Sequence, residues 1–396
     1  MDNKQMKISI LEAIDCYLPD VDGVINCVHN YCLNLCKTHD LTVAVPKNRK
    51  DYVDIFPYVI KRCKSIRIPI INSFYGLAKF DRKFKKETMS KKYDIVHVHS
   101  PFGMAKFALK IAKKQNIPAV ATFHSNMRPI FKDVLKINCL AEFFVRRLGK
   151  LYNKFDEIFV CSDQVAMQAR SYGYNGKISI LPYGTELQKC DDVEGLREKA
   201  NIKFNLKEKD LVLIYVGRIM KLKRIDFILK SLKLVKSRGF AIKFFIVGKG
   251  SETNQLKKLC KTLGFSENEV IFAGFIKREE VPQYFARSDL LLFPSIYDNF
   301  GLVKVEAASY STPGLFIENS CAGAGVIDGV NGFLSKDSIE AFADKICDSL
   351  RNPCNLKQVG KNATRDLYIN WKDCTTQLEE RLKEIVKKGG THGNKK

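Results

Sequence analysis

Residues 290–313, LLLFPSIYDNFGLVKVEAASYSTP, constrain the fold more than any other stretch. Leu290 to Phe293 is apolar at every position and stops at Pro294, the pattern of a buried strand. A short polar loop follows, and Leu302 to Ala308 returns apolar residues at helical rather than alternating spacing. Asp298 falls in the loop and Glu306 inside the helix, about two turns deeper. Between them Gly301, Leu302 and Val303 occupy the first helical turn, where unpaired N–H groups and the helix dipole favour an anion. Two carboxylates accept hydrogen bonds from sugar hydroxyls while amides hold a phosphate, a combination that suits a nucleotide sugar. A strand, an acidic loop and a helix with one Glu are also ordinary parts of any α/β protein.

A second stretch, LVLIYVGRIMKLKRIDFILKSL at 211–232, follows the same plan. An apolar strand ends at Gly217-Arg218, a loop carries Lys221 and Lys223, and a helix begins near Ile225. Arg218 offers a bidentate fork and Lys223 a point charge, which together suit a diphosphate at the carboxyl end of a strand. Gly248 and Gly250, in FFIVGKGSE, read as room for a nucleotide near another strand end. A lone GxG does not make a dinucleotide fingerprint.

The acid-x7-acid pattern from Asp298 to Glu306, with Phe300-Gly301-Leu302 inside it, resembles the signature of retaining glycosyltransferases of family 4 (glycosyl transferases group 1). Gly217-Arg218, four residues, then Lys223 matches that family's donor-diphosphate clamp. The order and spacing of segments resemble the diacylglycerol glucosyltransferase members in particular. This resemblance implies the GT-B fold: two Rossmann-like α/β domains with parallel sheets facing across a cleft, and a C-terminal helix crossing back to the first. It implies a donor site of Gly23, Gly217, Arg218, Lys223, Gly248, Asp298 and Phe300, with the amides of Gly301, Leu302 and Val303. Glu306 would hold the ribose, Asp298 the sugar ring, and Phe275 and Ile276 would border the nucleobase. Asp298 stands where the family usually has Glu, one methylene longer, and Ala324 where it often has Glu.

In the N-terminal half, ISILEA (8–13), LTVAVP (41–46) and IRIPII (66–71) read as the first three strands. Asp22-Gly23-Val24 lies where the first strand gives way to a helix, and Gly23 there allows close approach to a ligand or merely forms a turn. The resemblance places this loop near the donor phosphates and acceptor, with Asp22 on the acceptor side. YDIVHVHSPFGMAKFALKIAKKQNIPAVATFHS (93–125) reads as strand, helix and strand. His97 and His99 point one way from the first of these strands; packing accounts for His97, and His99 is assigned to the acceptor side. His124 ends the second strand at a carboxyl edge, where open α/β sheets place ligands. The matching family His lies at the donor sugar, so His124, Asp298, Arg218 and Lys223 are the expected catalytic group.

The chain's 396 residues suffice for two domains. The resemblance sets them at 1–187 (acceptor) and 188–370 (nucleotide sugar), with 371–388 returning to the first and a disordered tail at 389–396. Sixty-six Lys and Arg against 43 Asp and Glu give a net charge of +23, which calls for a polyanionic partner or reflects a basic proteome. No helix-turn-helix, RNA-binding sheet or zinc motif supports nucleic acid, which is not expected as a partner. Residues 127–155 form one amphipathic helical pattern whose apolar stripe includes Ile130, Val134, Ile137, Ala141 and Phe144, opposite a row of Lys and Arg. Its stripe fits a core-facing helix, while its basic face suits an anionic bilayer surface. Lys61 to Lys92 is a second basic run, solvated or anion-binding. MDNKQMK leads directly into the first strand, so no signal peptide is expected, nor is a membrane span.

The expected protein is therefore cytoplasmic and peripheral on the inner face of the cell membrane. It moves a hexose from a nucleotide sugar, a UDP-sugar first, to diacylglycerol, a glycolipid or a lipid-linked glycan. The resemblance implies no metal and no cofactor beyond that co-substrate. Alternatives are a GDP-mannose-dependent enzyme, a non-catalytic GT-B scaffold, a GT-B epimerase or phosphorylase, and a basic nucleic-acid-binding protein.

Overall fold

The computed structural model describes residues 6–20, 22–47, 52–68 and 73–389. Two compact units divide the chain. The first runs to Gly184 and takes back the segment from Trp371 onward; the second is Thr185–Asn370.

The first unit opens with β1 (Ser9–Ala13), α1 (Gly23–Leu35), β2 (Asp40–Pro46) and β3 (Val59–Cys63). A ribbon of β4 (Ser65–Ile68) and β5 (Ser73–Gly76) follows, then α2 (Arg82–Ser90), β6 (Ile95–Val98), α3 (Gly103–Gln115) and β7 (Ala119–Thr122). The unit continues through α4 (Met127–Leu135), α5 (Asn138–Tyr152), β8 (Glu157–Val160), α6 (Asp163–Ser171) and β9 (Lys177–Ile180). Its main sheet runs β3-β2-β1-β6-β7-β8-β9, with every pairing parallel. Strand order reverses between β1 and β6, which opens a crevice at their carboxyl ends.

The second unit contains α7 (Val193–Phe204), β10 (Leu211–Val216), α8 (Ile225–Ser237), β11 (Ile242–Val247), α9 (Thr253–Leu263) and β12 (Val270–Gly274). After these come α10 (Val281–Arg287), β13 (Leu290–Phe293), α11 (Leu302–Ala308), β14 (Gly314–Ile317) and β15 (Phe333–Ser335). Two helices, α12 (Ile339–Arg351) and α13 (Pro353–Leu367), close the unit. Its sheet, β12-β11-β10-β13-β14-β15, is parallel throughout and reverses between β10 and β13. Both reversal strands are buried along their length except at the ends of β10, which is why they read as continuous apolar runs.

The last helix, α14 (Trp371–Lys388), belongs to the first unit. The Trp371 ring meets Tyr31 of α1 edge-on at 5.6 Å, and Arg381 forks onto both oxygens of Glu157 at 2.9 and 2.6 Å. Two doubly wound α/β units with a terminal helix returned to the first make the GT-B fold.

Two readings of the sequence need correction. The third strand of the large sheet is β3, not IRIPII. Residues 66–68 of IRIPII pair antiparallel in the separate ribbon, and 69–71 lie outside the described residues, as does the tail from 390. The single helix expected over 127–155 is two. Lys136 adopts a left-handed conformation (φ 54°) and ends α4, and extended Ile137 stands at the N-cap of α5. The apolar stripe divides with it. Ala141, Val145, Leu148 and Leu151 are buried, whereas α4 buries nothing and Ile137 and Phe143 are each about half exposed.

Candidate active site

In the second unit, the loops after β10 and β13 meet at the strand-order reversal. Gly217 leaves β10 at φ 152°, Arg218 follows, and Lys221–Lys223 form a single 3₁₀ turn before α8. The Lys223 ammonium is ion-paired with the Asp298 carboxylate and lies 5.5 Å from the Phe293 ring centroid. Asp298 Oδ2 is buried with no hydrogen-bond partner among the described residues. Arg218 is exposed and makes no ion pair among the described residues, while its backbone carbonyl accepts from the Tyr215 hydroxyl at 3.0 Å. Arg224, which the sequence did not single out, ties the two loops together. Its guanidinium donates to the Pro294 carbonyl at 3.2 Å and to Asp337 at 2.5 Å.

Gly301 caps α11 at φ 67°, a left-handed conformation that costs a side chain but not a glycine. Leu302 and Val303 begin that helix and Phe300 is buried beside it. Lys304 was also missed. It is 4% exposed, lies 5.0 Å from the Phe300 ring centroid, and donates to the carbonyls of Ala322 (3.0 Å) and Ala324 (2.5 Å). Ala324 therefore serves Lys304 through its backbone carbonyl. Glu306 sits 4.0 Å from Arg278, whose Nε also meets Glu186 at 3.0 Å. Burial raises the Glu306 carboxyl above its usual range; Arg278 opposes that and Glu186 adds to it.

Gly248, read as room for a nucleotide, also has a structural requirement of its own. A Cβ there would lie 1.9 Å from the Gly217 carbonyl oxygen, and one at Gly250 would lie 1.8 Å from that of Ile219. Both glycines are required by the chain's own backbone packing after β10 and β11. Phe275 is exposed, with Lys249 over its ring at 5.6 Å, and Ile276 packs on the core. A cavity of about 440 Å³ at the amino-terminal edge of this sheet, near Leu211 and Pro313, contains none of these residues.

In the first unit, a cavity of about 410 Å³ opens at the carboxyl ends of β1 and β6. Asp15, Asp22, Tyr75, His99, Phe102 and His124 line it. Asp22 accepts from the Ile25 N–H at 2.7 Å and so caps α1. Gly23 is the first residue of α1, and a Cβ there would meet nothing within 4 Å, so no close approach within the protein requires a glycine. Asp15, absent from the sequence reading, accepts from the Ser100 hydroxyl (2.8 Å) and the Met104 N–H (3.0 Å). It thereby caps α3, whose own N-cap, Phe102, cannot. Burial pushes the Asp15 carboxyl up to about 6, against the pull of those donors.

His97, His99 and His124 share a buried cluster with Glu12 of β1, another residue the sequence did not flag. Glu12 faces His97 Nδ1 at 3.0 Å and His99 Nε2 at 2.6 Å. His99 Nδ1 lies 2.8 Å from His124 Nε2, and His124 Nδ1 lies 2.7 Å from the Tyr183 hydroxyl. Among the described residues, Glu12, His97 and His99 form the one group of three close enough to share a metal ion. Their facing atoms are hydrogen-bonded to one another. The thiols of Cys27 and Cys32 are buried in the core on α1.

A cation pair and two carboxylates thus stand at a strand-order reversal in a protein of two doubly wound halves, the arrangement expected of a glycosyltransferase that uses a nucleotide sugar. Sequence comparison bears this out: the profile described as Glycosyltransferase Family 4 matches residues 21–189, and that described as Glycosyl transferases group 1 matches 197–366. The chain belongs to glycosyltransferase family 4. It is 29% identical over 377 residues to the alpha-monoglucosyldiacylglycerol synthase of Acholeplasma laidlawii, covering 90% of this chain and 92% of that one. It is 26% identical over 345 residues to the UDP-Gal:alpha-D-GlcNAc-diphosphoundecaprenol alpha-1,3-galactosyltransferase of Escherichia coli, covering 79% and 83%. Among solved structures, Anabaena HepE in complex with UDP superposes with a TM-score of 0.75 at 17% identity, over 95% of this chain and 100% of that one. A Rickettsia africae glycosyltransferase gives 0.73 at 18% identity, over 96% and 99%. These structural likenesses are of fold.

Proposed function

We propose that the protein transfers a hexose from a UDP-sugar, with retention at the anomeric carbon, to a hydroxyl of a membrane-associated acceptor such as diacylglycerol, a glycolipid or a lipid-linked glycan. The observation that carries this reading is the Lys223–Asp298 pair beside the exposed Arg218, at the reversal point of the second sheet. Arg218 and Lys223 stabilise the charge that develops on the departing diphosphate, assisted by the amides at Gly301 to Val303, with Gly217 and Gly248 shaping the loop beneath. Asp298 holds the sugar ring, Glu306 the ribose hydroxyls, and Phe275, Ile276 and Phe300 border the nucleotide. The family resemblance assigns His124 and Gly23 to the donor, and Asp22 and His99 to the acceptor. The bond from the anomeric carbon to the diphosphate breaks within an ion pair, and the acceptor oxygen adds to the same face as its proton passes to the departing diphosphate. The two basic side chains supply the positive charge that a metal supplies elsewhere.

A UDP donor is favoured over GDP-mannose by the naming of the E. coli relative and by the UDP bound to HepE. The lipid acceptor is favoured by the A. laidlawii relative and by the surface of α4 and α5. There Ile130, Val134, Ile137, Leu140, Phe143 and Phe144 are exposed beside Arg128, Lys132, Lys136 and Arg146, an arrangement that fits the anionic inner face of a cell membrane. No helix among the described residues is long and apolar enough to cross a membrane. Asp298 and Ala324, in place of glutamates, also fit a scaffold that binds nucleotide without transfer.

Radiolabelled UDP-glucose, UDP-galactose and GDP-mannose, each offered with diacylglycerol in anionic vesicles, test the proposal. Label in the lipid fraction from a UDP-sugar supports it. Label from GDP-mannose alone replaces the donor, and nucleotide binding without transfer from any of them selects the scaffold.

A further inference from the structure

The buried chain through Glu12, His99, His124 and Tyr183 has a direction that its geometry determines. Glu12 is fully buried and both of its oxygens face imidazole nitrogens, so as a carboxylate it only accepts. His99 must then donate from Nε2, at 2.6 Å, which leaves Nδ1 of the neutral ring as an acceptor. His124 must donate to it from Nε2, at 2.8 Å, which leaves its own Nδ1 to accept the Tyr183 hydroxyl at 2.7 Å. One carboxylate on β1 thus orders every proton out to Tyr183. The charge states agree. Burial alone would raise the Glu12 carboxyl, but the facing imidazoles of His97 and His99 outweigh it and bring it down to about 2. Burial with His97 alongside lowers His99 to about 4, and burial with His99 and His97 alongside lowers His124 well below the usual range.

We propose that Glu12 is a positioning residue for glycosyl transfer: through His99 it locks His124 as the neutral Nε2–H tautomer, with both ring nitrogens engaged inside the protein. His124 then borders the cavity as a fixed, uncharged wall, and neither donates a proton to nor accepts one from a substrate. This rests on the reading that His124 serves the transferase site. It departs from the expectation that His124 belongs to the catalytic group.

Glu12→Gln removes the carboxylate that enforces the order and supplies a donor in its place. A carboxamide that donates to His99 Nε2 makes His99 donate from Nδ1, so that His124 accepts at Nε2 and carries its proton on Nδ1. His99→Gln keeps the order, because its carbonyl accepts from His124 while its NH₂ donates to Glu12. His99→Leu breaks it. Nitrogen-15 NMR of histidine-labelled full-length protein at neutral pH reads the tautomer directly. Steady-state transfer from UDP-glucose reads the consequence, and the melting temperature monitors folding.

The proposal expects Nε2–H at both His99 and His124 in the unaltered protein. It expects a shift of His124 to Nδ1–H in Glu12→Gln with about a tenfold or greater fall in kcat, and a smaller fall in His99→Gln than in His99→Leu. An Nδ1–H or doubly protonated His124 in the unaltered protein overturns it, whether or not any variant folds. So does a folded Glu12→Gln with unchanged kcat, which would make Glu12 a core residue only. If His124→Ala keeps full kcat, the assignment of His124 to the site fails instead, and the tautomers remain as measured.

Discussion

Lys223 and Asp298 are ion-paired across the two loops at the reversal point of the second sheet, with the ammonium also over the Phe293 ring. The cation assigned to the diphosphate and the carboxylate assigned to the sugar therefore hold each other in place. Removing either disturbs the other. Lys223→Ala is expected to lower kcat by about 10²–10³, the scale of a lost transition-state charge partner. Asp298→Ala should lower it as well, and the double variant should fall short of the summed effects by about 0.5–3 kcal/mol. Strict additivity in a double-mutant cycle of kcat/KM would show that the pair does not act as a unit.

Gly248 is a packing glycine in a loop that the proposed site depends on. A Cβ would lie 1.9 Å from the Gly217 carbonyl, and φ is 141°, where side chains are strained. Gly248→Ala is expected to lower the melting temperature by several degrees and to weaken nucleotide binding, because Gly217 and Arg218 move with it. Gly23→Ala, where a Cβ has open space, should leave stability nearly unchanged. Thermal melts of the two variants side by side make the comparison.

The imidazole cluster sets an acid limit on stability. His99 has its folded value lowered from 6.5 to about 4, so the unfolded chain binds the extra proton first as pH falls. Stability from this group is present above about pH 6.5 and is lost on descent toward 4, on the order of 3 kcal/mol in all. Glu12, lowered from 4.5 to about 2, adds a second loss between those values. Melting temperatures from pH 7.5 down to 4.5 should fall steeply below 6.5, and His99→Gln should flatten that limb. An unchanged slope in His99→Gln would place the acid sensitivity elsewhere.

The exposed stripe on α4 and α5 gives a separate prediction. Ile137→Ser with Phe143→Ser removes two half-exposed apolar side chains, each worth about 1.5–3 kcal/mol if buried in a bilayer. Flotation with anionic vesicles should fall at least tenfold while the fold is retained. Equal flotation with neutral vesicles would show that the basic face contributes nothing.

Much of this was legible in the sequence, for physical reasons. Strands covered on both faces, such as Leu211–Val216 and Leu290–Phe293, appear as unbroken apolar runs, and the loops after them carry the charges. What escaped were residues whose partners are distant in sequence. Glu12 looks like one polar interruption in ISILEA until His97 and His99, 85 and 87 residues on, arrive from the neighbouring strand. Lys304 looks like a solvated lysine on a short helix, yet the carbonyls it serves are those of Ala322 and Ala324. β3 is an edge strand with Lys61 and Arg62 in its middle, and so read as part of a basic run. The break at Lys136 carries no glycine or proline, so helical periodicity ran straight through it.

The central claim is a UDP-sugar site built on Arg218 and Lys223 that works without a metal. Calorimetric titration of the full-length protein with UDP, GDP and ADP, with and without EDTA, tests it most directly when repeated on Arg218→Ala. The account predicts that UDP binds in preference to the others, that EDTA changes nothing, and that Arg218→Ala weakens binding about tenfold or more. Binding of no nucleotide, or UDP binding that Arg218→Ala leaves intact, would contradict it.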